Sequence, residues 1–200
     1  MSLKFYKLHP NAIIPKQATL GSACFDIHAL FHSGTVTLFN DELKKFDVHR
    51  YFSNLTAGIT MSPNTTALIP TGLILDIPMN FCVKVYPRSS LYLKKGLIFP
   101  HSVGIIDSDY VEELFLICKN VSTKNILLSD GDKLAQGEMV LENGCETEEI
   151  YAKPEKKMDR VGGIGSTGTG PLPRGPRGTG TRQRALMATG QRGHYQPFDG

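Results

Sequence analysis

Apolar residues recur along the first 150 positions in short alternating or continuous runs, with no sustained helical spacing. LKFYKL (3–8), TALIPTGLILDI (66–77), FCVKVY (81–86), VEELFLICKNV (111–121) and AQGEMVL (135–141) are of this kind. Pro, Gly, Asn and Asp break them up in HPNA, SPNTT, IPMN, SDGD and ENG. Alternation with period two predicts half-buried strands, and turn residues between the runs predict reversals. Many short strands at this spacing predict an all-β barrel or sandwich. One stretch differs: in NDELKKFDVHRYF (40–52), Leu43, Phe46 and Phe52 share a face at partly helical spacing. It is predicted as a short helix or an irregular insertion.

Composition narrows the class. The 200 residues suit one domain, or one domain with a tail. A hydrophobic share of 40% is enough for a packed core. No apolar run approaches the ~18 residues of a membrane-spanning helix. The opening MSLKFYKLHP has no signal-peptide pattern. Cys24, Cys82, Cys118 and Cys145 form no CxxC pair, so reduced thiols and a cytoplasmic or nuclear location are expected. The sequons at Asn54, Asn64 and Asn120 carry no message there.

The net charge of +3 is unevenly placed. Arg174, Arg177, Arg182, Arg184 and Arg192 face a single acid, Asp199, in residues 169–200, so the body before them is near neutral. Nothing makes that body a nucleic-acid binder. The tail is rich in Gly, Arg, Pro, Thr and Gln and is expected to be disordered. Its plain reading is a linker or appendage, and its sharper reading is weak electrostatic contact with nucleic acid or an acidic partner.

Four clusters carry candidate chemistry. Pro87-Arg88-Ser89-Ser90-Leu91 ends a β-like run with a guanidinium fork and two hydroxyls, suited to phosphate oxygens or to an ordinary turn. In Gly104-Ile105-Ile106-Asp107-Ser108-Asp109-Tyr110, Asp107 follows two apolar residues that can tune its basicity, as a general base requires. A turn with Asp107 and Ser108 bonded to their own backbone fits the same letters. Tyr110 could lay its ring against a flat or sugar-like ligand. Gly131-Asp132-Lys133-Leu134-Ala135-Gln136 reads as a turn opening a strand, with Gln136 either a core amide or a ligand contact. Arg160-Val161-Gly162-Gly163-Ile164-Gly165-Ser166-Thr167-Gly168 is a loop whose N–H groups can approach phosphates, or a plain linker. It lacks the Lys-Ser/Thr ending of a P-loop and the βαβ setting of a dinucleotide fingerprint.

With Gly21-Ser22-Ala23-Cys24-Phe25-Asp26-Ile27 placed before them, these clusters stand in the order of five motifs, and residues 1–168 resemble the trimeric dUTPase family. The resemblance implies a dUTPase-like distorted jelly-roll β-barrel and a homotrimer with a C-terminal arm. It divides the chain into a barrel (1–152, with 32–57 an insertion), a glycine-rich active-site arm (153–168) and the tail (169–200). It implies hydrolysis of dUTP to dUMP and diphosphate, with Mg²⁺ on the triphosphate. By position, Asp107 is similar to the family's water-activating base, and Gln136 stands beside the water and phosphates. Arg88, Ser89 and Ser90 match the phosphate-contacting stretch, and Tyr110 matches the tyrosine under the deoxyribose. Asp26 matches the carboxylate that holds hydrated Mg²⁺ through water. Arg160 matches the clamp on the terminal phosphate, with the Gly165, Ser166 and Thr167 amides over the triphosphate. His101, Ile105, Ile106, Phe115 and Ile164 complete the implied substrate-binding set.

The chain also departs from the pattern. Ile164 stands where an aromatic is usual, the arm is one residue shorter between Arg160 and Gly162, and Glu112 replaces a glycine. Two other readings follow from the same residues. One is a dCTP deaminase-like enzyme of the same fold. The other is a nucleotide-gated interaction protein using residues 32–57 or the tail.

Overall fold

The computed structural model describes residues 2–32, 35–49, 51–53, 56–142 and 144–155. The chain divides into one compact unit over Met1–Thr147 and a second over Glu148–Gly200. In the first unit the strands are β1 (Lys4–Lys7), β2 (Phe25–His28), β3 (Thr35–Phe39), β4 (Lys45–His49) and β5 (Tyr51–Ser53). Next come β6 (Thr56–Met61), β7 (Thr66–Pro70), β8 (Leu73–Asp76) and β9 (Phe81–Pro87), followed by a short helix, α1 (Ser90–Lys95), the one helix among the described residues. The remaining strands are β10 (Leu97–Ile98), β11 (Gly104–Ile106), β12 (Phe115–Asn120), β13 (Ile126–Ser129) and β14 (Lys133–Leu141). The fold is all-β, as the punctuated apolar runs predict. In the second unit, residues 148–155 hold neither strand nor helix.

The strands form sheets of order β10-β12-β7-β3-β4, β11-β9-β14-β2, β13-β6-β5 and β1-β8. β12 alternates outward and buried residues along its length, with Leu116, Cys118 and Asn120 inside. Ile27, Phe31, Leu38, Ile59, Ile69, Leu73, Leu116, Leu128 and Leu134 meet in one core drawn from several sheets. Each buries most of its side chain, a gain of about 1.5–3 kcal/mol apiece relative to exposure.

The stretch 40–52 is neither a helix nor irregular. β3 and β4 form a hairpin, with Leu38 opposite Phe46 and Val36 opposite Val48. Lys45–His49 alternates, and its β-branched and aromatic residues suit a pleated edge better than a helix. Asn40 closes the turn, its side-chain oxygen accepting the Glu42 and Lys44 N–H groups at 3.0 and 2.9 Å. β3 also pairs with β7, and Val36 and Leu38 enter the core, so only the outer leg of the hairpin is peripheral.

α1 interrupts the strand pattern after Arg88. Lys94 and Lys95 lie in its last turn, and Gly96 in the left-handed region (φ 61°) stops it, its N–H donating to the Tyr92 carbonyl at 2.8 Å. No helix among the described residues is long and apolar enough to cross a membrane.

Candidate active site

β14 is flanked by β9 and β2, which gathers three of the motifs. Gln136 sits opposite Asp26 on one side and Tyr86 on the other, and Ala135 sits opposite Pro87. The bulge between Lys133 and Ala135 in the β14–β2 pairing leaves Lys133 opposite His28. Gly137 follows Gln136, and a Cβ there would lie 2.6 Å from the Phe25 ring. The missing side chain lets Phe25 pack beside β14 and meet Phe5 edge-on at 5.9 Å.

Asp26 is the electrostatic centre of this end of the sheet, its side chain 15% exposed. Its Oδ1 lies 3.2 Å from Arg88 Nε and its Oδ2 accepts a hydrogen bond from Lys133 Nζ at 2.8 Å. Burial pushes its pKa up, and the Lys133 hydrogen bond with the charges of Arg88, Lys133 and His28 outweighs it, so the net shift is downward. His28 moves down as well: burial leads, Lys133 and Arg88 add to it, and Asp26 opposes. Its Nδ1 is buried without a hydrogen-bond partner in the protein.

The Arg88 N–H donates to the Leu134 carbonyl at 3.3 Å, and Gln136 Nε2 donates to the Pro87 carbonyl at the same distance. Ser89 is exposed and makes no side-chain cap bond, which leaves its hydroxyl to other partners. Asp132 ties the parts together: its carboxylate accepts from Lys95 at the end of α1 and from the Ser129 N–H, both at 3.0 Å. Thus Asp26 on β2, Gln136 on β14, and Arg88, Ser89 and Ser90 at the junction of β9 with α1 come together, with Asp26, Arg88 and Gln136 held by polar contacts.

The third motif forms a separate place. β10 and β11 are the legs of one turn but are not paired with each other and belong to different sheets, and among the described residues β11 has only β9 as a strand neighbour. Among the described residues one edge of β11 is therefore outside any ladder, with backbone groups that can face a ligand. The turn between the legs holds Ser102 in the left-handed region (φ 65°) and stacks His101 on Phe99 at 5.6 Å. A cleft of about 240 Å³ opens here, and His101, Ile105, Ile106 and Phe115 all line it. Asp107 follows at its edge. Its carboxylate is exposed, where the sequence predicts shelter by Ile105 and Ile106, because only Ile106 packs on the core while Ile105 turns outward. Its carbonyl accepts the Tyr110 N–H at 3.2 Å, and the Tyr110 hydroxyl donates to the Glu113 carbonyl at 2.8 Å. Burial first, then Glu112 and Glu113, raises the Tyr110 pKa, which keeps that hydroxyl a donor.

These two places are far apart in one chain. Ile106 sits opposite Val83, whereas Arg88 follows the other end of β9. At about 3.3 Å per residue, Asp107 and Arg88 are separated by roughly 17–20 Å of strand. Arg160, Ile164, Gly165, Ser166 and Thr167 lie outside the described residues. So does the tail 169–200.

Sequence reasoning missed Lys133, His28 and Glu113. Only Lys133 carried a signal, as the cation inside the fourth motif. No group of three or more His, Cys, Asp or Glu among the described residues could by itself hold a metal ion. Asp26 as a lone carboxylate fits Mg²⁺ only in the hydrated form, with water and phosphate completing the shell.

The dUTPase family model matches residues 54–168. A deoxyuridine 5'-triphosphate nucleotidohydrolase from Helicobacter pylori is 31% identical over 169 residues, 84% of this chain and 97% of that protein. A protein of the same name from Picosynechococcus sp. is 32% identical, covering 84% of this chain and all of its own length. Among solved structures, the dUTPase of Streptococcus mutans aligns with TM-score 0.55 at 21% identity, over 74% of this chain and 100% of that one. A variant dUTPase from phage phi11 of S. aureus, described with a structural Mg(II) ion, aligns with TM-score 0.59 at 19% identity, over 78% and 100%. Those likenesses show the fold, the jelly roll of these enzymes.

Proposed function

The chain belongs to the dUTPase family, and from that premise we propose that it hydrolyses dUTP to dUMP and diphosphate. The observation that supports this most is the meeting of Asp26, Arg88 and Gln136 on adjoining strands at one end of a sheet. A triphosphate repels an incoming nucleophile, so catalysis is mainly charge neutralisation and alignment. Arg88 supplies a permanent cation, and the Ser89 and Ser90 hydroxyls supply donors to the phosphates. Gln136 offers an amide to the attacking water. Asp26 would hold hydrated Mg²⁺ through water, and the ion would neutralise charge on the triphosphate. Asp107 orients the water and takes its proton, a contribution of about 10²–10⁴-fold.

The base enters the cleft lined by His101, Ile105, Ile106 and Phe115. Backbone groups of the β10–β11 turn segment that fit uracil are left unpaired by cytosine, at a cost of about 1–3 kcal/mol per group. A 5-methyl group lacks room. Tyr110 forms the floor under the deoxyribose and leaves no space for a 2′-hydroxyl.

No side chain spans the distance between Asp107 and Arg88 within one copy, and the family's homotrimer would bring Asp107 of one copy to Arg88 of another. The arm (153–168) closes on a neighbouring site, with Arg160 on the terminal phosphate, the Gly165, Ser166 and Thr167 amides above it and Ile164 over the base. Reduced thiols and a nucleotide substrate fit the cytoplasm or nucleus.

The test is a panel of dUTP, dCTP, dTTP and UTP with and without Mg²⁺. Diphosphate release from dUTP alone is expected, falling by about 10²–10⁴-fold in Asp107→Asn. Equal rates for the two proteins remove Asp107 as the base, and ammonia from dCTP moves the chain to the deaminase side of the fold.

A further inference from the structure

We propose that Glu113 is a positioning residue that sets the sugar specificity of the site, by bracing Tyr110 against the Gly72 turn and His32. The proposal rests on the reading of Tyr110 as the floor under the deoxyribose. Tyr110 stands in a loop outside any strand, and its hydroxyl is anchored to the Glu113 carbonyl at 2.8 Å. The hydroxyl end of the ring is thus fixed through Glu113, while the Tyr110 N–H is tied to the Asp107 carbonyl.

Glu113 is held on several sides. Its Oε1 accepts the Gly72 N–H at 2.7 Å, and its Oε2 lies 3.6 Å from His32 Nε2. The next residue continues the attachment: the Leu114 N–H donates to the Leu73 carbonyl at 2.8 Å, and the Thr71 hydroxyl donates to the Leu114 carbonyl at 2.7 Å. The Glu113 and His32 side chains are only 13% and 19% exposed, so this is an interior contact.

The turn that Glu113 grips cannot drift. Gly72 has φ +69°, and a Cβ there would lie 2.6 Å from Leu30 Cδ2 and 3.1 Å from the Ala12 Cβ. His32 is itself placed by Leu30, whose carbonyl lies 3.2 Å from His32 Nδ1. A rigid line therefore runs from the Leu30–His32 segment before β3, through the Glu113 carboxylate, to the Tyr110 hydroxyl. Tyr110 excludes a 2′-hydroxyl only if its ring does not yield, and this line is what resists the yielding.

The experiment measures kcat and KM for dUTP and UTP in wild type, Glu113→Ala, Glu113→Gln, Tyr110→Phe and the Glu113→Ala/Tyr110→Phe double variant. The kcat/KM preference for dUTP over UTP is expected to fall about tenfold in Glu113→Ala and in Tyr110→Phe, with no further fall in the double variant. Glu113→Gln keeps an oxygen for the Gly72 N–H and is expected to stay within about twofold of wild type. A lost contact with no positioning role would lower melting temperature and leave the preference unchanged. That result in Glu113→Ala, or additive losses in the double variant, overturns the proposal. Should Glu113→Ala fail to fold, an unchanged preference in Tyr110→Phe overturns it. A wild type inert towards dUTP sinks the proposed activity and this inference together, whereas an active wild type with an indifferent Glu113→Ala sinks this inference alone.

Discussion

At the scale of residues, the four thiols should separate by burial. Cys118 is fully buried and its pKa is pushed up to about 12. Cys82 is buried and raised by desolvation, then by Glu142. Cys145 is exposed, and Cys24 is half-buried and raised by burial and Glu138. Ellman's reagent on the native protein should modify Cys145 first, Cys24 slowly, and Cys82 and Cys118 only on unfolding. His28 gives a second expectation. Its pKa is lowered in the folded chain, so its contribution is complete above the unfolded value near 6.5 and is lost as pH falls below it. The melting temperature should drop between pH 7 and pH 5.5, and drop less in His28→Gln. Asn120 shows what letters alone conceal. Written as a sequon, it is fully buried, donating to the Met61 and Lys124 carbonyls at 3.0 and 2.9 Å and accepting from Ser122.

At the scale of elements, the hairpin β3–β4 divides into a structural leg and a peripheral one. Leu38→Ala should cost about 2–5 kcal/mol, because Leu38 is 1% exposed in a packed core. Phe46→Ser, opposite it on the edge strand, should change stability by less than about 1 kcal/mol. Urea unfolding of the two variants checks the contrast. The same hairpin marks the limit of what could be read beforehand. β7, β9, β12 and β14 are legible because their alternation is long and bounded by turn residues. β3 and β4 are not, since Leu43 and Phe46 imitate a helical face and only pairing with β7 turns the segment into sheet. α1 was equally hidden: six residues give too little period to distinguish from a turn. The site was legible in its parts, as short motifs, but Glu113 was not, because its partners Gly72 and His32 are remote in sequence and no local pattern connects them.

At the scale of the whole molecule, the distance between Asp107 and Arg88 lets the proposed sharing of sites between copies be tested. Asp107→Asn and Arg88→Gln chains, each inactive alone, should regain activity when unfolded together and refolded. Random reassortment leaves about a quarter of the sites with both groups intact. No recovery would mean that each chain supplies its own complete site. The resemblance implies a trimer, but nothing local to either motif records which copy it would serve. It also has a consequence for inheritance. In the proposed trimer, a chain crippled at both ends of the sheet would spoil the pockets of its healthy neighbours as well as its own, so such an allele would act dominantly when co-expressed with a sound copy. Alleles hit at opposite ends would instead partly rescue each other.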